Sequence, residues 1–566
     1  MKVLIIGGVA GGATAAARLR RLDETAEIII LERGGFVSYA NCGLPYYVGG
    51  VIENKSALTL QTPESFWERF RIEVRVNNEV SAIDPISKTV TVTRREDGSS
   101  YTEAYDKLIL SPGAKAVRPK LPGIDNPRIF TLRSVEDSYA IHDFIKKNHP
   151  KKAVVVGGGF IGLEMAENLV GAGIETIMVQ HGNQVMPPLD YDMACQLHSY
   201  LRSQGVCLRL KQSVEGFEEK DGALLTKIVG QEPISADFAI LAIGVVPETH
   251  LAKDAGLTLG QKDSIVVNDR METSAKDIYA LGDAVEITQF VSGQKALIAL
   301  AGPANKQGRI VADNICGGDS RFKGTQGSSV IKLFDMTVAS TGLNEKQLQA
   351  SSARYDKTIN YAASHAGYYP GATNMTIKTL FDPENGKILG AQIVGFEGVD
   401  KRLDVLATAI RGGMCAADLE ELELSYAPPF SSAKDPVNMV GFTIENLRHG
   451  LVRQFHWHDV EQLPRDGSVT LLDTRTPGEF AGGHIPGAVN IPVDQLREKL
   501  DLLDKTKPVY VNCQSGLRSY ISCRILSQKG FDCKNLAGGY RFYAYIAADA
   551  VYDPDPTHPC GIKIEK

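Results

Sequence analysis

The chain has 566 residues, 43% hydrophobic and 23% charged, with a formal net charge of −6. That length exceeds a single core and predicts three to five domains. The charge balance gives no reason to expect nucleic acid or an anionic membrane surface as partner, and no apolar run approaches the ~18–20 residues that span a bilayer. An apolar strand starts at Lys2, leaving no room for a signal peptide. Nine scattered cysteines form no C-x-x-C pair and no metal-like cluster, so the expectation is a cytoplasmic protein with free thiols and no metal.

Residues 2–33 read as strand, glycine turn, helix and strand. Val3–Ile6 is a buried strand, Gly7-Gly8-Val9-Ala10-Gly11-Gly12 the turn and Ala13–Leu22 the helix, and Glu27–Glu32 returns as a parallel strand. Such a turn brings backbone N–H groups and a helix N-terminus onto a pyrophosphate, and Glu32, followed by Arg33, is placed for ribose hydroxyls. The match departs from the usual pattern at Val9, where a second glycine is expected. Cys42 follows closely, in Ser38-Tyr39-Ala40-Asn41-Cys42-Gly43, and the next cysteine is Cys195. A thiol without a local partner cannot store electrons as an internal disulfide; it must pair with a sulfur or oxygen brought by the substrate.

The unit recurs at Ala153–Gln180. Gly157-Gly158-Gly159-Phe160-Ile161-Gly162 fits G-x-G-x-x-G fully, between strand Ala153–Val156 and helix Leu163–Val170. Its second strand, Thr176–Val179, ends at Gln180-His181 instead of an acid. Repulsion of a 2′-phosphate is therefore lost, yet no arginine stands there to bind one, which leaves NADH or NADPH open with a lean to NADH.

A third element, Thr273 to Asp283 ending Ala280-Leu281-Gly282-Asp283, completes an ordered set. With it, residues 1–447 resemble the two-dinucleotide flavoprotein disulfide reductases. The resemblance implies that Asp283, after Gly282, meets the flavin ribitol. It also implies that Ser111-Pro112-Gly113-Ala114 and Leu241-Ala242-Ile243-Gly244 are the crossings between the FAD and NAD lobes. The expected fold is α/β. Its parts are an FAD-binding domain (1–149 and 245–325), an NAD(P)H-binding domain (150–244), both Rossmann-like, and an α+β dimerisation domain (326–447).

The surroundings of Cys42 resemble the single-cysteine branch, which includes coenzyme A disulfide reductases, NADH oxidases and NADH peroxidases. The residues nearby favour the CoA members. Arg18 and Arg21, three apart on the first helix, are neighbours on one side of it, and guanidinium groups suit phosphates. By resemblance Thr14, Arg18, Arg21, Ser38 and Asn41 line a CoA channel. The stretch Tyr426-Ala427-Pro428-Pro429-Phe430-Ser431-Ser432-Ala433-Lys434-Asp435-Pro436 matches the same branch. There a tyrosine from the partner subunit, here Tyr426, reaches the flavin–cysteine site, and Lys434 approaches CoA; Tyr368 or Tyr369 offers a second phenol. These roles imply a homodimer with sites completed across its interface.

After Gly450 a new α/β unit begins. Strand Val469–Arg475 ends in Asp473-Thr474-Arg475, and strand Pro508–Asn512 delivers Cys513-Gln514-Ser515-Gly516-Leu517-Arg518-Ser519, followed by helix Tyr520–Lys529. This part, 452–566, resembles a rhodanese domain with its catalytic loop intact. A loop between strand end and helix start turns N–H groups inward as an anion nest, and Arg518 adds positive potential around Cys513 for a persulfide. Cys523, Cys533 and Cys560 read as packing or surface residues.

Together these readings imply an FAD- and NAD(P)H-dependent reductase of CoA persulfide, polysulfide or CoA disulfide, working through a Cys42–CoA mixed disulfide and coupled to sulfur transfer at Cys513. The alternatives are an NADH oxidase or peroxidase using a Cys42 sulfenate, or a sulfur carrier recharged by the flavin part.

Overall fold

The computed structural model describes residues 1–550 and divides into two compact units. The first comprises Met1–His181 and Gly205–Gly327; the second comprises Gly182–Gln204 and the chain from Ser328 onward.

The first unit holds two parallel five-stranded sheets. In one, Ile278–Ala280, Lys107–Leu110, Lys2–Ile6, Glu27–Leu31 and Glu73–Arg75 lie side by side in that order. In the other the order is Cys207–Arg209, Glu175–Val179, Lys152–Val156, Phe238–Leu241 and Ile129–Thr131. The central strands bury every residue after the first, as a sheet covered on both faces demands. Each first strand lies between its sequential successor and a later strand. This switch in strand order opens a crevice at the strands' C-terminal ends, where the glycine turns sit.

Both glycine turns are tighter than the sequence suggests. The first helix begins at Gly11, not Ala13, and the second runs Phe160–Gly171. A Cβ on Gly12 would stand 2.0 Å from the Gly7 carbonyl oxygen, and one on Gly308 of helix Ala301–Ile315 would stand 2.4 Å from that of Gly11. The two helices thus cross with bare backbone between them. The two stretches expected to join the lobes run into paired antiparallel strands, Ala114–Ala116 and Val245–Pro247.

In the second unit, Ser329–Leu333, Met336–Gly342, Ile388–Gly395, Asn374–Phe381 and Asp356–Ala363 form an antiparallel sheet. Gln454–Phe455, Cys533–Leu536, Val509–Asn512, Thr470–Asp473 and Val489–Asn490 form a separate parallel one. Helix Tyr191–Ser203 packs with both parts. Ahead of it and at its start, Asp190 and Asp192 surround the Lys378 ammonium together with Glu345. Burial alone would lower the Lys378 pKa, but these three carboxylates hold it well above the ordinary value. From the last helix, Gly539–Ala550, Asp549 takes hydrogen bonds from Tyr191 (3.2 Å), His198 (3.0 Å) and Arg202 (2.6 Å). Among the described residues no helix is long and apolar enough to cross a membrane.

Candidate active sites

The two nucleotide cradles share one design. In the first, Glu32 accepts the Gly8 N–H on one carboxylate oxygen and the Gly34 N–H on the other, both at 2.9 Å, which fixes the acid at the end of its strand. Burial raises its pKa, and those two N–H groups oppose the rise. Arg33 is exposed and lies 3.6 Å from Glu248. Gly7 has φ +95° and its Cβ would meet the Ser111 carbonyl oxygen at 2.1 Å, so turn and crossing are packed backbone to backbone. In the second cradle a Cβ on Gly157 would meet Ala242 O at 2.3 Å, and one on Gly162 would meet Gly157 O at 1.9 Å. Gly159 and Gly244 have no such neighbour within 4 Å. The first pair is required by the turn itself; at Gly159 the room lies beyond the helix N-terminus, where a pyrophosphate approaches. The residues present therefore fit a dinucleotide in each cradle.

Cys42 lies in the short helical turn Asn41–Gly43, exposed and free. Burial of the sulfur on its inner side pushes the thiol pKa up; Glu164 and Asp283 add to the rise, and Arg133 opposes it. Arg133 is the hub of this corner. Its guanidinium reaches Asp283 at 3.1 Å, and the Asn41 amide, turned to satisfy both its ends, donates to the Arg133 carbonyl (3.1 Å) and accepts from its guanidinium (2.9 Å). Gly113 has φ +71°, with Arg133 Nη2 3.0 Å from where its Cβ would be, and Gly282 donates its N–H to Gln307 (2.8 Å). Glu164, on helix Phe160–Gly171, has its pKa raised to about 7 by burial and by Glu167.

The residues expected to line a CoA channel are brought together in part. Thr14 donates to Asn305 (2.7 Å) and Arg18 pairs with Asp313 (2.8 Å), both partners on helix Ala301–Ile315. Arg21 is exposed. Ser38 has φ +47° and its N–H donates to the Gly8 carbonyl, so the Cys42 segment is anchored on the first glycine turn. In the second unit Tyr426 and Tyr368 share a hydrogen bond of 2.8 Å and both are exposed, as are Tyr369 and Lys434.

Cys513 presents the opposite situation. It is 1% exposed, directly after strand Val509–Asn512. Gly516, at φ +102°, donates its N–H to the sulfur at 3.1 Å, and the Ser519 hydroxyl donates at 3.2 Å. The Tyr540 and Arg541 N–H groups hold the carbonyls of Cys513 and Gln514 from behind. The helix starts at Leu517 instead of Tyr520, which puts Ser519 in its first turn. Arg518 turns both terminal nitrogens onto Glu479 (2.8 and 2.7 Å), and this pairing drives the Glu479 pKa to about 2. Asp473 and the buried Arg475 form a two-pronged pair, and Arg475 also bonds Gln514 (3.2 Å) and the Gly483 carbonyl (2.7 Å). Cys523 and Cys533 are buried in the domain core, and Cys560 lies outside the described residues.

Known proteins carry the same parts in the same order. The family model for pyridine nucleotide-disulphide oxidoreductases matches residues 1–308, that family's dimerisation domain 328–436 and the rhodanese-like domain 456–544. The chain belongs to the pyridine nucleotide-disulphide oxidoreductases. A coenzyme A disulfide reductase of Staphylococcus haemolyticus is 38% identical to this oxidoreductase over 447 residues, 79% of this chain and 100% of the relative. The crystal structure of reduced Bacillus anthracis CoADR-RHD is 48% identical with a TM-score of 0.94, covering 97% of this chain and 98% of that one. A NAD-dependent persulfide reductase from A. fulgidus is 36% identical with a TM-score of 0.90, covering 96% and 100%.

Sequence reasoning did not pick out Arg133, Glu164 or the Asp549 contacts of this oxidoreductase. Arg133 carries no motif; it matters because the strand Ile129–Thr131 ends beside the Cys42 turn. Glu164 is the second residue after Gly162 and was legible only as a helix position.

Proposed function

We propose that this oxidoreductase reduces CoA persulfide, or CoA disulfide, at Cys42 and exchanges sulfane sulfur at Cys513. The observation that carries the reading is the pairing of an exposed thiol, free of any intramolecular partner among the described residues, with a second thiol held by two donors at a helix start. Relatives named for CoA disulfide and persulfide reduction support it.

In this reading the Gly7–Gly12 turn, Glu32, Arg33, Ser111, Gly113, Gly282 and Asp283 hold FAD; Gly157, Gly159, Gly162 and Gly244 hold NAD(P)H. When bound, the two cofactors supply the electron pair that cleaves a Cys42 disulfide. The Cys42 thiolate attacks the CoA-side sulfur of the persulfide, forming Cys42–S–S–CoA and expelling HS⁻; with CoA disulfide the leaving group is a CoA thiolate. Two electrons and one proton then restore the Cys42 thiolate and release CoA thiol. Arg133 opposes the charge penalty on that thiolate, and Asn41 holds Arg133 in place. Thr14, Arg18, Arg21, Ser38, Asn41 and Lys434 bind CoA, with Arg18 exchanging Asp313 for phosphate. Tyr426 acts in the partner's site of a homodimer, and the protein works in the cytoplasm. At Cys513 the Gly516 N–H and Ser519 hydroxyl stabilise sulfur anions, including the terminal sulfur of a persulfide.

The test is the mass of Cys42 in protein as purified, together with anaerobic turnover on CoA persulfide. A CoA adduct and sulfide release are expected. Turnover with oxygen or peroxide and none with CoA persulfide would establish an oxidase or peroxidase instead.

A further inference from the structure

We infer that Cys523 and Cys533 form a second redox couple in the C-terminal domain, a dithiol that a hydroperoxide closes to a disulfide. It is independent of the reaction proposed at Cys42. Cys523 lies on helix Leu517–Gln528 and Cys533 opens strand Cys533–Leu536; the turn 529–532 folds one back onto the other. Both side chains are buried in one core cluster. The Cys533 thiol donates to the Cys523 carbonyl at 3.4 Å, and the Cys523 thiol in turn donates to the Cys533 sulfur. Each sulfur is thus held against the residue that carries the other. Cys523 also stands one helical turn beyond Ser519, whose hydroxyl donates to Cys513, so the pair sits on the element that builds the Cys513 loop.

The two thiols are not alike. The hydrogen bond from Cys523 draws the Cys533 pKa below the ordinary thiol value, against the effect of burial, and the Arg453 guanidinium adds to the fall. The same bond, with burial behind it, holds the Cys523 pKa well above that value. Arg453 is exposed, pairs with the exposed Asp532 and donates to the Cys533 carbonyl at 3.4 Å, which places Cys533 at the solvent edge of the core. Cys533 is therefore the attacking sulfur and Cys523 the resolving one. The Cys533 thiolate attacks one peroxide oxygen; the O–O bond breaks, the other oxygen takes a proton and leaves as water, and the sulfur becomes a sulfenic acid. Cys523 then attacks that sulfur. The S–S bond forms, the S–O bond breaks, and the Cys523 proton leaves with the oxygen as water. Two thiols and one hydrogen peroxide give one disulfide and two waters. The resolving thiol already touches its target, so closure outruns further oxidation.

The experiment treats the full-length, flavin-loaded protein with hydrogen peroxide in the absence of nicotinamide nucleotide. Remaining thiols are alkylated with N-ethylmaleimide in denaturant, and the peptides are mapped by mass spectrometry. The maleimide label is expected to disappear from Cys523 and Cys533 together, replaced by one linked peptide lighter than the reduced pair by two hydrogens, and to return to both after dithiothreitol. In Cys523→Ala, dimedone is expected to trap a sulfenic acid at Cys533; in Cys533→Ala, Cys523 is expected to stay a free thiol. Both cysteines still carrying maleimide after Cys42 has been oxidised overturns the inference, and so does linkage of either one to another cysteine. A dimedone adduct at Cys523 in Cys533→Ala, with none at Cys533 in Cys523→Ala, overturns the order of attack. If an alanine variant does not fold, the peptide map of the unaltered protein decides the couple by itself.

Discussion

Cys42 and Cys513 each lie in a loop that follows a strand of a parallel sheet, but their surroundings differ. Cys42 is exposed, next to two carboxylates and one guanidinium, and nothing in its own segment donates to the sulfur. Cys513 is buried with two donors aimed at it. The first environment disfavours the thiolate, so the proposed function needs the bound ligand to stabilise it. The second is complete within its own loop, with two donors already aimed at the sulfur. On the proposed function, one chain would separate a gated nucleophile from a standing carrier.

That comparison breaks most sharply by removing each sulfur in turn. Cys42→Ser is expected to lower NAD(P)H-driven reduction of CoA persulfide by at least about a thousandfold while thiosulfate sulfurtransfer stays within about twofold. Cys513→Ser should do the reverse, measured as thiocyanate formation against NAD(P)H oxidation. Loss of both activities in either variant would mean that the sites act as one. Next in size is Asp473→Asn, which leaves the buried Arg475 charge unpaired. It should cost the C-terminal domain about 3–5 kcal/mol in denaturant unfolding with little change at Cys42. Ser519→Ala removes one of the two donors to Cys513, worth about 1 kcal/mol, and should slow sulfurtransfer about five- to tenfold.

The smallest predicted effect sharpens the comparison at Cys42. Glu164 gains its charge as pH rises through about 7, well above the ordinary 4.5. Above that pH the carboxylate repels the Cys42 thiolate; in Glu164→Gln it cannot. Alkylation of Cys42 by iodoacetamide should therefore be a few times faster in the variant at pH 8 and equal to wild type near pH 5.5. Because the folded state retains the Glu164 proton between about 4.5 and 7, its contribution to stability falls as pH rises through that window and is level above it. Thermal unfolding of Glu164→Gln should show a flatter pH profile over the same range.

Much of this architecture is legible in the residues. The apolar runs Val3–Ile6 and Ala153–Val156, each followed by a glycine turn and a helix, mark strands covered on both faces, and burial follows that pattern. Cys513 and its loop are local, since strand end, turn and helix start are contiguous. What was not legible depends on distant backbone. Arg133 reaches Asn41 and Asp283 because strands far apart in sequence end at one crevice. Arg18 reads as a free phosphate ligand until helix Ala301–Ile315 supplies Asp313. Helix boundaries shifted for a similar reason: Gly11 and Gly12 look like turn residues, yet Gly11 packs against Ala304 of the crossing helix and Gly12 against the Gly7 carbonyl.

The Asp549 contacts bear on how this chain could have been assembled or taken apart. Helix Tyr191–Ser203 presents His198, Arg202 and Tyr191 to a single acid contributed from the far end of the polypeptide. Cutting the gene after Gly450 would take the Asp549 carboxylate away from His198, Arg202 and Tyr191. The rhodanese-like module is accordingly not a detachable appendage. A chain that lacks it also loses the acid facing a helix encoded more than two hundred codons upstream.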